Sequence, residues 1–143
     1  MDKKELGEII TNAFHHIYET LGYGFDKEIY EKAFMMELDT RNIQYCHKMP
    51  VNVYYDGVSV GKCIPDFLIG YDTVIMIGTM NSISEEAIKK LDSYCDTTCC
   101  NRGFLLNFGA TAELKIHEDE MESIIFQQKG DREVSILQEA VLF

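Results

Sequence analysis

The chain of 143 residues carries 24 acidic and 13 basic side chains, a formal net charge of −11, and is 46% hydrophobic. This size and apolar content indicate one domain with its own core. The acidic field repels a nucleic-acid backbone unless a basic patch or bound cations reverse it locally. Apolar runs stay far below the ~20 residues of a membrane span, and no apolar segment follows the charged N-terminus. We therefore expect an intracellular protein, cytoplasmic or nuclear, with no membrane partner.

The five cysteines form an odd set, without the even framework of a secreted disulfide scaffold. We expect free thiols in a reducing compartment. Cys95, Cys99 and Cys100 lie close together and, with a histidine, would offer an alternative zinc site. Because no paired Cys-x2-Cys accompanies them and buried cysteine is common, the sequence favours thiols over zinc.

The N-terminal part of the chain predicts two helices. In residues 6–21 the apolar side chains fall on one helix face, with Asp2 and Glu5 as a capping pair and Gly22 as a stop. A second helix is expected from Asp26, its N-cap, to about residue 41. The side chains expected to form its buried stripe are Ile29, Tyr30, Ala33, Phe34 and Leu38.

The chain then changes to the alternating pattern of β-strands. Residues 43–53 alternate between apolar and polar, Asp56-Gly57 marks a hairpin turn, and a short strand follows at residues 58–60. Together with residues 64–69 and 74–79, we predict a run of antiparallel strands. The two strands within residues 61–80 should lie at the centre of the molecule.

The second half of the chain begins with a helix and a strand. Ser82, followed three residues later by Glu85, predicts a capped helix that ends near residue 97. Residues 104–108 are apolar enough for a strand buried on both faces. This order of elements predicts an α/β fold with a mixed sheet flanked by helices.

The C-terminal segments give weaker signals. Residues 115–122 are a charged stretch, residues 124–126 are a strand candidate, and residues 129–131 resemble a turn. The end of the chain, residues 134–143, fits a helix or an edge strand, and periodicity does not decide between them. Its apolar ending would be costly to leave in water, so we expect it to pack on its own core or across a dimer interface.

Five short motifs occur in one order between residues 22 and 109. They are Gly22-Tyr23-Gly24 with Ile29-Tyr30-Glu31-Lys32-Ala33, Pro50-Val51-Asn52-Val53 with the hairpin turn, Pro65-Asp66-Phe67-Leu68, Leu91 with Tyr94, and Leu105-Leu106-Asn107-Phe108-Gly109. Together they resemble the GxxExxY family, a branch of the PD-(D/E)XK nuclease-like superfamily found in bacteria and some large DNA viruses. The resemblance covers roughly residues 6–117.

The resemblance implies a restriction-endonuclease-like core with its active site on a central hairpin. In such a site an aspartate on one strand and a Glu-x-Lys on the next hold a divalent cation and activate water against a phosphodiester. A glutamate on a neighbouring helix and a glutamine on the helix after the sheet assist them. Mg²⁺ needs several oxygen ligands near octahedral geometry, so the chemistry depends on the whole set.

Of the acidic site positions that the resemblance implies, one carries an acidic residue in this chain. Asp66 stands at the strand aspartate, whereas Ile77 and Thr79 stand at the Glu-x-Lys. Lys27 stands at the helix glutamate and Lys90 at the glutamine. One carboxylate holds Mg²⁺ poorly, so we expect a degraded site with no catalytic residue and no cofactor.

The two lysines suggest what now neutralises the remaining aspartate. If both helices still face the old site, we expect Asp66 to lie within salt-bridge distance of Lys27 or Lys90. An alternative is a rearranged site in which Asp66 and Glu28, with Asp72, bind Mg²⁺ or Mn²⁺. Another is nucleic-acid binding without cleavage, which would require one basic patch formed by Lys27, Lys62, Lys89, Lys90 and Arg102.

The expected function is therefore that of a catalytically inactive nuclease-fold protein, an interaction or structural module. We expect a nuclease-like domain at residues 1–118 and a C-terminal extension at residues 119–143, packed on the same domain or on a partner subunit. The partner would be another protein or a second copy of the chain. For a viral protein, the virion is a further location.

Overall fold

The computed structural model describes residues 2–118 in full and the backbone of residues 122–129 and 133–140. These residues form three helices and nine strands. Their bounds are α1 Lys3–Leu21, α2 Lys27–Thr40, β1 Tyr45–His47, β2 Val51–Tyr55, β3 Val58–Cys63, β4 Phe67–Ile69, β5 Thr73–Gly78, α3 Glu85–Thr98, β6 Arg102–Phe108, β7 Ala112–Glu118, β8 Glu122–Lys129 and β9 Glu133–Ala140.

Seven of the strands form one mixed sheet in the order β1-β4-β5-β6-β7-β8-β9. The β5–β6 pair is parallel and the other pairs are antiparallel. Successive side chains of a strand point to opposite faces of the sheet, so β5 contributes side chains to two hydrophobic cores, one on each face. Ile75 and Ile77 pack with α1 and α2, whereas Val74 and Met76 pack with α3. The predicted α/β class, a mixed sheet flanked by helices, is confirmed.

The first two helices agree with the sequence, apart from one side chain. The Asp2 carboxylate accepts a hydrogen bond from the Glu5 N–H at 2.8 Å, and Gly22, with φ of 68°, ends α1. Asp26 occupies the N-cap of α2. Ile29 was expected in the buried stripe but is 41% exposed, because it lies on a side of α2 turned away from the core, whereas its neighbour Tyr30 is buried.

The second half of the chain differs from the sequence prediction at one helix start and one strand. The N-cap of α3 is Ser84, whose hydroxyl accepts from the Ala87 N–H at 3.1 Å, and not the predicted Ser82. Residues 115–118 of the charged stretch belong to the buried strand β7, which was not predicted. Its polar side chains are buried because they find partners around α3; for example, His117 Nδ1 lies 2.8 Å from Asp92 Oδ1.

The β2–β3 hairpin forms a separate two-stranded sheet. The sequence predicted that this hairpin continues the antiparallel strands β4 and β5. In the structure β1, and not the hairpin, pairs with β4. Its turn is the predicted Asp56-Gly57, with φ of 49° and 77°, the left-handed values that a two-residue hairpin turn requires.

Strands β8 and β9 continue the sheet beyond β7. The strand alternative for residues 134–143 is thus the one that forms, up to Ala140. The predicted turn at residues 129–131 is described only at Lys129, the last residue of β8. Residues 130–131 and the apolar ending at residues 141–143 lie outside the described residues, and the division of the chain at residue 118 stays a prediction. No helix in the described part of the chain has the length and apolar character to cross a membrane.

All five cysteines lie in the described residues and are free thiols. Cys46 and Cys99 are exposed, whereas Cys63, Cys95 and Cys100 are buried. Burial raises the pKa of the Cys63 and Cys100 thiols. The fold therefore favours the neutral form of both groups.

We expect the free energy of unfolding to fall as the pH rises above about 8.5, the ordinary thiol pKa. The raised pKa values stabilise the fold fully below this pH, and the contribution is lost as the pH rises through the folded-state values. Urea unfolding at a series of alkaline pH values measures how steeply the free energy of unfolding falls with pH, and Cys100→Ala should reduce this slope.

Iodoacetamide labelling followed by mass spectrometry provides a second test and should modify Cys46 and Cys99 first. Fast native labelling of Cys100 would contradict the prediction.

Candidate functional site

Asp66 lies immediately before β4, and its side chain is nearly fully buried, at 4% exposed. Its Oδ1 atom lies 2.9 Å from Lys27 Nζ, and its Oδ2 atom accepts a hydrogen bond from the Ile77 backbone N–H at 2.8 Å. Both carboxylate oxygens are thus engaged by groups of the chain itself. The ion pair predicted between Asp66 and one of the two lysines is confirmed for Lys27.

The fold brings these three residues together through strand pairing and one helix start. In the β4–β5 pair Phe67 lies opposite Ile75, so Asp66 lies beside the end of β5 that carries Ile77. Lys27 is the first residue of α2. A cation is unfavourable at a helix N-terminus, where the backbone dipole is positive, and the Asp66 carboxylate offsets this cost.

A second buried carboxylate lies one helical turn after Lys27. The Glu31 side chain is 2% exposed; its Oε2 atom lies 3.4 Å from Lys48 Nζ and its Oε1 atom 3.5 Å from His47 Nε2. Among the described residues, Oε1 accepts no hydrogen bond of normal geometry. Glu31 was not among the residues predicted for the site. Its i, i+4 spacing from Lys27, next to the motif tyrosine Tyr30, was the available signal.

Lys48 contacts both acidic residues, Asp66 through the backbone and Glu31 through its side chain. Its backbone N–H donates to the Asp66 carbonyl oxygen at 2.9 Å, while its ammonium group faces Glu31. Lys48 has a φ of 53°, a left-handed conformation that is uncommon outside glycine and is held here by both contacts. The cluster therefore contains two lysines and two carboxylates, whose charges cancel without an added metal ion.

The positions of the expected Glu-x-Lys carry no charge. The Ile77 side chain is buried in the core shared with α1 and α2, on the same side of the sheet as Lys27. Thr79 is exposed and follows the last residue of β5. The structure thus places Ile77 directly beside Asp66, where the resemblance expects a glutamate.

Lys90 does not join the cluster. It lies on α3, which packs against the opposite face of the sheet from α2. Its Nζ atom lies 5.5 Å from the centre of the Tyr94 ring, a cation–π contact at the surface. The predicted contact of Asp66 with Lys27 or Lys90 is therefore made by Lys27.

Two motif residues hold the backbone around this region. Tyr30 donates a hydrogen bond from its hydroxyl group to the Gly22 carbonyl at 2.9 Å, which fixes the approach to α2. The Asn107 amide accepts from the Met80 N–H at 2.8 Å and donates to the Met80 carbonyl at 2.9 Å. Asn107 thereby fixes the segment that follows β5 and carries Thr79.

The family model of the PD-(D/E)XK nuclease superfamily matches residues 4–118. The chain belongs to this superfamily. No curated protein and no solved structure matches it. In a PD-(D/E)XK domain the strand aspartate and its neighbours are the expected metal site, so the fit of a divalent cation can be tested on the residues around Asp66.

The residues of this PD-(D/E)XK domain do not fit a divalent cation at Asp66. The carboxylate already binds an ammonium group and a backbone N–H, and Ile77 offers no side-chain ligand. Glu28 is exposed, and Asp72 lies in the turn at the far end of β4, where it accepts from the Thr73 hydroxyl. The structure therefore does not bring the alternative metal set together, and among the described residues no group of three or more His, Cys, Asp or Glu side chains is placed to hold a metal ion.

The basic residues considered for nucleic-acid binding do not form one patch. Lys27 is paired with Asp66, and Arg102 is buried, with its Nε atom 3.0 Å from Glu118 Oε1. The Arg102 guanidinium group also donates to the Lys3 carbonyl. Lys62, Lys89 and Lys90 remain exposed, on the hairpin and on α3. Two of the five candidates are thus engaged within the domain.

Proposed function

We propose that this PD-(D/E)XK domain is a divergent member of the GxxExxY branch that has lost cleavage and serves as an interaction or structural module. The observation that carries the proposal is the environment of Asp66. A lysine and a backbone N–H engage both of its oxygens, at 2.9 and 2.8 Å. A cation at this carboxylate would have to displace the Lys27 ammonium group and would gain no ligand from Ile77.

Electrostatics also support a role without cleavage. Mg²⁺ gives up water reluctantly and needs several oxygen ligands to compensate. Around Asp66 the charges already cancel, because Lys27 and Lys48 match Asp66 and Glu31. The net charge of −11 disfavours approach of a polyanion to the rest of the surface. Together these features favour a protein partner over a nucleic-acid substrate.

One observation favours a second candidate, a metal-dependent nuclease with a rearranged site. The buried Glu31 carboxylate lies one turn from Lys27, and its Oε1 atom accepts no normal hydrogen bond within the described residues. If Lys27 and Lys48 moved outward, Glu31 and Asp66 would be the carboxylates available to a metal ion. The following assay decides between the two candidates.

We expect purified protein to cleave neither DNA nor RNA in Mg²⁺ or Mn²⁺ above the level of an Asp66→Asn variant. Asparagine keeps an acceptor for the Ile77 N–H and removes the negative charge, so it is the matched control. Glu31→Gln serves the same purpose for the rearranged site. Cleavage by the unchanged chain that disappears in either variant would overturn the proposal and establish a nuclease.

A further inference from the structure

The β2–β3 hairpin exposes an apolar surface and a free strand edge. Tyr54, Tyr55, Val58 and Val60 are each between 63% and 70% exposed. Strand β3 pairs with β2 alone among the described strands, so its outer edge offers unpaired backbone groups. Strand β2 contacts α3, so β3 is the outer strand of the hairpin. An exposed apolar edge is a template for pairing with another strand.

Residues 57–61 of this edge read the same in both directions, and residues of opposite charge flank them. Around Ser59 stand Val58 and Val60, then Gly57 and Gly61, then the oppositely charged Asp56 and Lys62. Antiparallel pairing of two identical strands about a two-fold axis pairs each residue with the residue at the same distance on the other side of the axis. For an axis at Ser59, Val58 meets Val60 of the other copy, and Gly61 and Lys62 lie beside its Asp56-Gly57 turn.

We propose that the outer edge of β3 pairs in antiparallel orientation with β3 of a second copy of this chain, about a two-fold axis at Ser59. The pairing converts two hairpins into one four-stranded sheet and gives hydrogen-bond partners to the backbone groups that the free edge of β3 exposes. It brings Lys62 of each chain to the Asp56 turn of the other. The two exposed valines of each edge come together at the centre.

The charge pattern favours a second copy of the chain as the partner of the β3 edge. Two chains of net charge −11 repel each other over most of their surfaces. Segment 56–62 contains one acidic and one basic side chain, so it is locally neutral. Asp56 and Lys62 are exposed and take part in no ion pair among the described residues. Both are therefore accessible to a second copy.

One feature of the hairpin opposes the pairing. The register shifts between Val53 and Tyr54, and Val60 is the extra residue on β3. Such a bulge twists a strand and is one means by which monomeric proteins protect a free edge. A contact between two strands also buries less than a standard interface, so we expect a weak, concentration-dependent dimer.

The proposal names a partner for the interaction module, yet it rests on the hairpin alone. The hairpin and Asp66 are tested by separate measurements, so either proposal can fail while the other stands. An active nuclease could dimerise through β3, and an inactive domain could be a monomer.

Sedimentation velocity from low micromolar to near-millimolar concentration tests the dimer. Asp56→Lys puts two positive charges on each edge and Lys62→Asp puts two negative charges on each. We expect either single change to weaken self-association by about tenfold, because like charges then meet twice across the axis. An equimolar mixture of the two variants should regain association, as should the double variant Asp56→Lys/Lys62→Asp.

Matched controls make the same charge changes elsewhere. Glu19→Lys and Lys32→Asp alter exposed positions on α1 and α2 and should leave association unchanged within twofold. Circular dichroism establishes that every variant is folded. A monomer at all concentrations would overturn the proposal and assign the bulge at Val60 the role of protecting the edge. A dimer that the single changes do not weaken, or that mixing does not restore, would also overturn it.

Discussion

Replacing Lys27 by methionine is expected to lower the free energy of unfolding by about 1–3 kcal/mol. Removing one partner of a buried ion pair costs about 3–5 kcal/mol, because the other charge is left without compensation. The Lys27 side chain is 41% exposed and the Asp66 side chain 4%. Water therefore reaches the lysine side of the pair and screens part of the interaction, which reduces the expected loss.

A double-mutant cycle isolates the ion pair. Asp66→Asn keeps an acceptor for the Ile77 N–H at 2.8 Å and removes the charge. If the Lys27–Asp66 ion pair stabilises the fold, Lys27→Met should lower the free energy of unfolding less in the Asp66→Asn background than in the unchanged chain, by about 1 kcal/mol or more. Equilibrium unfolding in urea provides all four values. Lys32→Met, an exposed change on the same helix, is the control and should cost less than about 0.5 kcal/mol. Additive losses would show that the contact has no stabilising role.

Local signals predicted the first helices and the central strand well. The apolar face of α1 and the Asp2 cap are encoded within one helix length, and they form as predicted. Residues 104–108 lie in the buried strand β6, as their apolar run indicated. In each case the residues that determine the structure are neighbours in the sequence, so their periodicity is enough to predict the element.

Strand β7 was missed because its stabilising contacts are distant in the sequence. Lys115 and His117 indicate a solvated stretch when read locally. In the fold, His117 meets Asp92, and the Glu113 carboxylate accepts from the Ile83 N–H at 3.0 Å. Burying a polar side chain is costly unless it finds a partner, and those partners lie on and before α3. Only the tertiary structure shows that they are available.

The candidate site was predicted in part for the same reason. Asp66 and Lys27 were identified through motif spacing, and their contact forms. Lys90 stayed an alternative partner of Asp66 in the sequence, because the sequence does not state on which face of the sheet α3 packs. Glu31 was overlooked because its burial depends on Lys48, in a left-handed conformation at φ of 53° on a separate loop. The spacing of residues in the sequence identifies motif positions. Which charged side chains pair with each other depends on how the elements are arranged in the fold.

The second large effect is expected at Tyr30, the tyrosine of the motif. Its side chain is fully buried; the ring stacks on Phe108 at 4.4 Å, and Phe108 stacks in turn on Phe14 at 4.8 Å. This column of rings joins α2, β6 and α1. The hydroxyl group bonds to the Gly22 carbonyl and accepts from the Phe25 N–H at 3.3 Å. Tyr30 therefore packs the core and fixes the loop before Lys27.

Tyr30→Ala should lower the free energy of unfolding by about 3–5 kcal/mol, the usual cost of removing a large buried aromatic ring. Tyr30→Phe keeps the stack and removes the hydroxyl group, so about 1 kcal/mol is expected. Tyr23→Ala, at a ring that is 60% exposed, is the matched control and should change stability by less than about 0.5 kcal/mol. Urea unfolding followed by far-UV circular dichroism compares the three. A Tyr30→Ala loss no larger than that of Tyr23→Ala would exclude a structural role for the motif tyrosine, and its presence beside Lys27 would then require a role in binding or chemistry.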